Sequence, residues 1–470
     1  MSQSTMLWKT IKRTSALLFA VAIICGSARA AERPNVILLM GDDHGWDEVA
    51  YNGHPHLKTP VLDEMAEHGL RLDHFYSAHP SCSPTRGSCL TGRHPYRYGI
   101  FFANVGHMPP QEITLAEALK TQGYVTGHFG KWHLGTLTTK IKDSNRGRPG
   151  DRRHYSPPWD NGFDVCFSTE AKVPTCDPML KPGTKQPYGT YYWDGPEHRV
   201  TENLEGDDSR VIMDRVVPFI RGAVKAGKPF LAVVWFHTPH LPVVAGPKHR
   251  ELYADQPEGA QHYLGCITAM DEQMGRLRQE LRSLGVADNT MLWFCADNGP
   301  EGRKKTPTNG SAGPLRGRKR SLYEGGVRVP GLLEWPAKVT KPRVVTMPCS
   351  TCDYFPTVLD ALGFQMKGQP EPIDGISLLP LIEGKMAERP RPIGFESAGQ
   401  VALIGNRYKI YGKGKSPRYQ LYDLIKDPGE KHDLAAEKPD IVKKMAAILE
   451  RWRASCKDSL AGKDYAAQSN

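Results

Sequence analysis

Asp42 and Asp43 stand next to each other, as do Asp297 and Asn298. As metal ligands all four offer oxygen, and an all-oxygen set suits a hard cation, Ca²⁺ or Mg²⁺, rather than zinc. Paired aspartates also occur in ordinary surface turns. Cys82 begins the run Cys82-Ser83-Pro84-Thr85-Arg86. A cysteine ahead of a proline at a helix start sits where free backbone N–H groups and the helix dipole favour an anion. Arg86 follows about one helical turn later and can face the same spot. The plainer alternative is a structural cysteine beside a surface arginine. His237 and His240 complete the set. Fixed cations suit a reaction that moves negative charge, and histidine transfers protons near neutral pH.

These residues need elements that bring them together. Asn35–Met40, Phe230–Phe236 and Met291–Ala296 are short, continuous apolar runs bounded by turn residues. Such runs read as buried strands of a mostly parallel sheet. Each is followed at once by polar groups: Asp42-Asp43, His237, and Asp297-Asn298. In open α/β sheets ligands bind outside the carboxyl ends of the strands, so three such ends point to one site. Helical patterns lie between them, over Thr59–His68, over Thr114–Thr121 with Thr114 and Glu117 spaced as a capping box, and over Tyr263–Leu284 before Gly285. This alternation predicts α/β layers, a large mixed, mostly parallel sheet sandwiched by helices.

From about Arg391 the texture changes. Val401–Ile404, Tyr408–Tyr411 and Gln420–Leu424 read as short strands and Ile441–Ala454 as a closing helix, a small C-terminal antiparallel sheet with one helix. The domain reading is residues 1–30 as a signal peptide, 31–385 as the catalytic domain and 386–470 as a C-terminal subdomain. Lys9, Lys12 and Arg13 precede an apolar run from Ala16 to Cys25 that is too short to span a bilayer, and Ala28-Arg29-Ala30 has the form of a cleavage site. Cys25 would anchor a lipoprotein instead, but Ile24 stands where a small residue is wanted. The reading is a secreted or periplasmic protein with no membrane span. Loss of residues 1–30 lowers the formal charge from +10 to +6, which suits an anionic partner or an ordinary solvated surface. Of the ten cysteines, Cys166 and Cys176 could pair in an oxidising compartment.

Cys82-Ser83-Pro84-Thr85-Arg86 with Leu90-Thr91-Gly92-Arg93 resembles the signature of the type I, formylglycine-dependent sulfatases of the alkaline phosphatase superfamily. Thr85 replaces the commoner Ser and Gly87 a more usual Ala. Gly41-Asp42-Asp43-His44-Gly45-Trp46 and Ala296-Asp297-Asn298-Gly299 are similar to the family's two metal motifs. Gly130-Lys131-Trp132-His133-Leu134-Gly135, Lys319 with Tyr323 to Pro330, and Leu421–Leu424 with Asp427–Glu430 resemble further family segments, in the family's order.

The resemblance implies a sulfuric ester hydrolase with an alkaline-phosphatase-like fold. It implies that a formylglycine-generating or anaerobic maturing enzyme oxidises Cys82 to formylglycine. It implies one calcium ion held by Asp42, Asp43, Asp297, Asn298 and residue 82. A hydroxyl of the hydrated aldehyde would attack sulfur, and its partner would later expel sulfate. Arg86 and Lys131 would hold the formylglycine and metal side, Lys319 the sulfate oxygens, and His133 would assist sulfate elimination. His237 would help protonate the leaving oxygen, with His240 as a second candidate or a substrate-binding residue.

The substrate reading is a sulfated carbohydrate. It rests on export and on two basic loops, Thr138–Arg153 and Arg303–Arg320, which would draw in a polyanion if they rim the pocket. Tyr155, Trp159, Tyr188, Tyr191, Tyr192 and Trp193 could stack on sugars or simply pack locally. A phosphonate monoester or phosphate diester hydrolase with the same nucleophile, and a polyanion-binding protein without activity, are the other readings. Charge alone would allow a nucleic-acid partner, but the export signal and the carboxylate-rich site argue against one.

Overall fold

The apolar runs form the centre of a ten-stranded mixed sheet in the computed structural model, which describes residues 33–302 and 309–468. Five parallel strands carry the site: β1 (Asn35–Gly41), β2 (Val125–Lys131), β3 (Val165–Thr169), β4 (Phe230–Trp235) and β5 (Thr290–Ala296). Their spatial order is β5-β1-β4-β2-β3. β1 shows why the run is apolar throughout. Val36, Leu38 and Met40 enter one core, while Ile37 and Leu39 enter the core on the other face. Side chains alternate along a strand, so one covered on both faces keeps no polar side. Cys82–Thr91, Leu115–Lys120 and Tyr354–Ala361 are among the helices of the first core. Pro60–His68, Asp208–Lys225 and Glu258–Ser283 pack on the second. Antiparallel strands flank these five, Gly331–Glu334 beside β5 and Trp193–Gly195 beside β3.

Local signals place the helix ends. Thr114 Oγ1 accepts from the Glu117 amide at 3.2 Å, and the Glu117 carboxylate accepts from the Thr114 amide at 2.7 Å. The helix expected from Tyr263 begins earlier, at Glu258. The expected signal peptide lies outside the described residues, among which no helix is long and apolar enough to cross a membrane.

The C-terminal sheet is an antiparallel meander of Ile393–Ser397, Gln400–Ile404, Tyr408–Lys413 and Gln420–Asp423, packed against the helix Pro439–Leu460. Its first strand is absent from the sequence reading because Gly394 breaks the pattern. A Cβ there would come within 2.4 Å of the Trp452 ring, so close packing of the helix demands glycine. Lys409 is fully buried in this sheet and lies 2.9 Å from both Glu324 and Glu430. That pair of contacts ties the Glu324 segment, next to Lys319, to the small sheet. Cys166 and Cys176 do not pair: both thiols are free. Cys166 is packed into the core from β3, whereas Cys176 lies on a segment bridged to Asp207.

Candidate active site

The central strands end nearly level. Gly41 pairs with Ala296, and Trp235 pairs with Met40 on one side and Gly130 on the other. The residues that follow are therefore brought side by side. The Asp43 amide donates to Asp297 Oδ1 at 3.0 Å. Lys131 Nζ lies 2.6 Å from Asp42 Oδ2, and Lys319 Nζ lies 2.5 Å from Asp43 Oδ1. Arg86 Nη2 lies 2.6 Å from Asp297 Oδ2 and 3.6 Å from Asp42 Oδ1. All six of these side chains are buried. Asp43 and His133 adopt left-handed backbone, with φ of 63° and 57°, which is uncommon for non-glycine residues and concentrates at functional sites.

Such a density of buried charge perturbs several of its members. Burial and the neighbouring Asp42 push Asp297 up to about 7. Burial also opposes the charge on Asp42, but Lys131, His240, Arg86 and Lys319 outweigh it and hold this carboxyl well below the usual range. Burial disfavours the ammonium of Lys319, yet Asp43 beside it keeps the charge and raises the pKa. Two buried oxygens, Asp42 Oδ1 and Asn298 Oδ1, have no hydrogen-bond partner. Orphaned buried acceptors are costly, and an ion is one of the few things that explains them. Ligand atoms of Asp42, Cys82 and Asp297 lie within 4.8 Å of one another, as do those of Asp42, Asp43 and His240. The donor set is oxygen-rich and strongly anionic, so a hard divalent cation fits it.

Cys82 is the first residue of the helix Cys82–Thr91, and every residue of that helix is buried. Thr85 Oγ1 donates to the His79 carbonyl at 2.8 Å, so threonine at this position pins the loop leading into the helix. Gly87 has an equally local cause, since a Cβ there would lie 2.6 Å from the Tyr98 hydroxyl. Burial pushes the Cys82 thiol up, and a protonated thiol is a poor nucleophile. Its Sγ marks where an oxygen of a modified residue 82 would begin.

Cys82, Lys131, His133, Lys172, His240 and Lys319 line a cleft of about 380 Å³. His133 Nε2 is bonded to Asn104 Oδ1 at 3.1 Å while its Nδ1 is buried without a partner. Burial, with Lys131 and Arg146, holds this ring well below the usual histidine pKa. The two histidines after β4 differ in placement. His237 is fully buried, with Nδ1 2.7 Å from Asp208 Oδ2 and Nε2 2.8 Å from Thr169 Oγ1. Both of its nitrogens are occupied and it does not line the cleft, contrary to the expectation that it faces the leaving oxygen. His240 does line the cleft, with Nε2 3.4 Å from Asp43 Oδ2.

The basic loops also fall out differently. Arg146 is buried against Glu170, Arg153 pairs with Asp151, and Arg316 and Arg318 bond to backbone carbonyls of Glu430 and Glu301. Among the described residues of those loops, Asn145, Lys319 and Arg320 line the cleft; residues 303–308 lie outside the description. Tyr192 and Trp193 are buried, Tyr191 lies under Arg199, and Phe102 is the aromatic residue in the lining. Asn104, Lys172 and Glu301 line the cleft without having been singled out. Lys172 had a signal, since it closely follows β3, but the polar residues in Asp164–Glu170 hide that strand.

The family model described as Sulfatase matches residues 34–364. This chain belongs to the sulfatase family. The sulfatase also matches the model "N-sulphoglucosamine sulphohydrolase, C-terminal" over residues 317–455. It is 32% identical over 393 residues to N-acetylgalactosamine-6-sulfatase of Homo sapiens, covering 78% of this chain and 69% of that one. It is 31% identical over 425 residues to arylsulfatase G of Rattus norvegicus, covering 83% and 77%. The solved structure of Ps i-CgsB in complex with k-i-k-neocarrahexaose is similar with a TM-score of 0.76 at 26% identity, covering 89% of this chain and 92% of that one. The sulfatase is thus a sulfuric ester hydrolase on an alkaline-phosphatase-like fold.

Proposed function

We propose that this sulfatase removes a sulfate ester from a sulfated carbohydrate, using formylglycine made from Cys82 and one calcium ion held by Asp42, Asp43, Asp297 and Asn298. The observation that carries the reading is the approach of Cys82 to Asp42 and Asp297, with ligand atoms within 4.8 Å, beside two orphaned buried oxygens. The carbohydrate part is supported by relatives whose names specify N-acetylgalactosamine-6-sulfate and by the neocarrahexaose complex. The export signal read in residues 1–30 supports a secreted or periplasmic enzyme.

When bound, the calcium ion supplies Lewis-acid polarisation and neutralises developing charge, and the hydrated aldehyde supplies the attacking hydroxyl. The chain's own residues do the rest. Lys131 and Lys319, held on Asp42 and Asp43, grip the sulfate oxygens from buried positions, where fixed charge is most effective. Arg86 stays on Asp297 and fixes the helix that carries residue 82. His133, kept neutral and with a free Nδ1, accepts a proton from residue 82. Lys319 delivers a proton to the alcohol oxygen as its bond to sulfur breaks, and His240, rather than His237, stands in the cleft on that path. Burial lowers the His240 pKa to about 4, so its neutral ring relays the proton rather than supplying it. His237 positions the segment after β3 through Thr169.

The two histidine roles separate in kinetics. His240→Ala is expected to cut kcat on an alkyl sugar sulfate by about 10²- to 10³-fold, and much less on 4-nitrophenyl sulfate, whose leaving group needs no proton. Equal losses on both would remove His240 from the proton path. The whole reading is tested by a peptide mass spectrum across Cys82, on protein from a host that matures sulfatases, followed by a panel of sulfated sugars. The mass of an aldehyde or its hydrate, with sulfate release from a sugar, supports it. An alkylatable thiol beside a converted control refutes the nucleophile.

A further inference from the structure

The ionic cluster beneath the cleft is balanced within itself. Asp42, Asp43 and Asp297 face Lys131, Lys319 and Arg86, each cation within 2.6 Å of a carboxylate. Arg320, also in the cleft lining, is held by both oxygens of Glu301 at 2.6 and 2.8 Å. Lys172 differs. It is half-buried in the same lining, and no carboxylate among the described residues forms an ion pair with it. Burial, together with Lys131 and Lys319, disfavours its charge, and Asp42 and Asp43 offset this only in part. An ammonium in a partly desolvated site with no counter-ion is unfavourable unless a ligand brings one.

The lysine is also firmly placed. Its neighbours Ala171 and Val173 are buried. Thr169 Oγ1 donates to the Ala171 carbonyl at 2.7 Å, and the same hydroxyl is bonded to His237, which is bonded to Asp208. A chain of three buried side chains thus fixes the turn from which Lys172 reaches into the cleft. Such support is what a binding residue needs and a solvated surface lysine does not.

We propose that Lys172 is a specificity-determining residue that binds a second anionic group of the substrate, a carboxylate or another sulfate near the scissile ester. The preferred substrates are then multiply anionic saccharides rather than singly sulfated neutral ones. This rests on the reading of the cleft as a site for sulfated carbohydrate.

The test uses the matured, calcium-loaded enzyme and four substrates: 4-nitrophenyl sulfate, a monosulfated neutral disaccharide, its uronate-containing counterpart and its disulfated counterpart. A charge-assisted hydrogen bond contributes about 1.5–3 kcal/mol, or about 10- to 100-fold. Lys172→Met is expected to lower kcat/KM on the uronate or the disulfated sugar by that factor, mainly through KM. The loss on the two singly charged substrates should be at least about tenfold smaller, and Lys172→Arg should recover most of it. Whichever dianionic substrate responds identifies the second group. Equal losses on all substrates, a loss confined to kcat, or no loss would overturn the inference while leaving the carbohydrate reading intact. Turnover of 4-nitrophenyl sulfate with no sugar cleaved would overturn the carbohydrate reading itself and this inference with it.

Discussion

Cys82→Ala is expected to abolish turnover, with kcat/KM down by about 10⁴-fold or more, the scale seen when a covalent nucleophile is removed. The fold should survive. Residue 82 opens a helix that is buried along its whole length and anchored by Thr85 and Arg86, and none of those contacts needs the thiol. Tm should therefore shift by no more than about 2 °C. Calcium binding should weaken less than activity, because Asp42, Asp43, Asp297 and Asn298 remain. The measurements are steady-state kinetics, a thermal melt and metal content on one preparation. Activity within tenfold of the parent would show that residue 82 is not the nucleophile.

Asp297→Ala should weaken calcium binding and activity together. Asp297 gives the candidate site one of its carboxylates and also holds Arg86 at 2.6 Å. Its loss removes a ligand and frees a buried guanidinium whose next carboxylate oxygen, Asp42 Oδ1, is 3.6 Å away. Both changes repel a cation. Calcium affinity is expected to fall by at least about 100-fold, the upper end for substitutions in the outer shell of metal sites. Breaking the buried pair should also cost about 3 kcal/mol of stability. Activity should recover in part as calcium is raised. Unchanged metal content by titration calorimetry would place the ion elsewhere.

The difference between what was legible and what was not is clearest around β1, β4 and β5. Their interiors are apolar because both faces are covered, so the strands could be read directly from composition. The residues after them could be read as oxygen ligands from type alone. The structure brings Asp42, Asp43, Lys131, Asp297 and Asn298 into one place because the ends of β1, β2 and β5 lie level, linked through β4, while Cys82 and Arg86 arrive on the helix Cys82–Thr91 and Lys319 through its contact with Asp43. The strand Ile393–Ser397 could not be read, since its glycine answers to Trp452 on a helix far along the chain.

By itself the sequence determined the kinds of groups available, the strands that deliver them and the family signature they compose. Tertiary structure alone decided which way chemically identical groups face. His237 and His240 follow the same strand, and nothing local tells them apart. His237 is turned inward because Asp208 and Thr169 capture both of its nitrogens, leaving His240 to the cleft. Likewise Lys172 is one lysine among many in the sequence, and becomes distinctive only because the folded surroundings bury part of it while no carboxylate among the described residues forms an ion pair with it. A side chain's chemistry is carried by its own atoms, but its orientation, solvation and partners come from segments that only folding brings near.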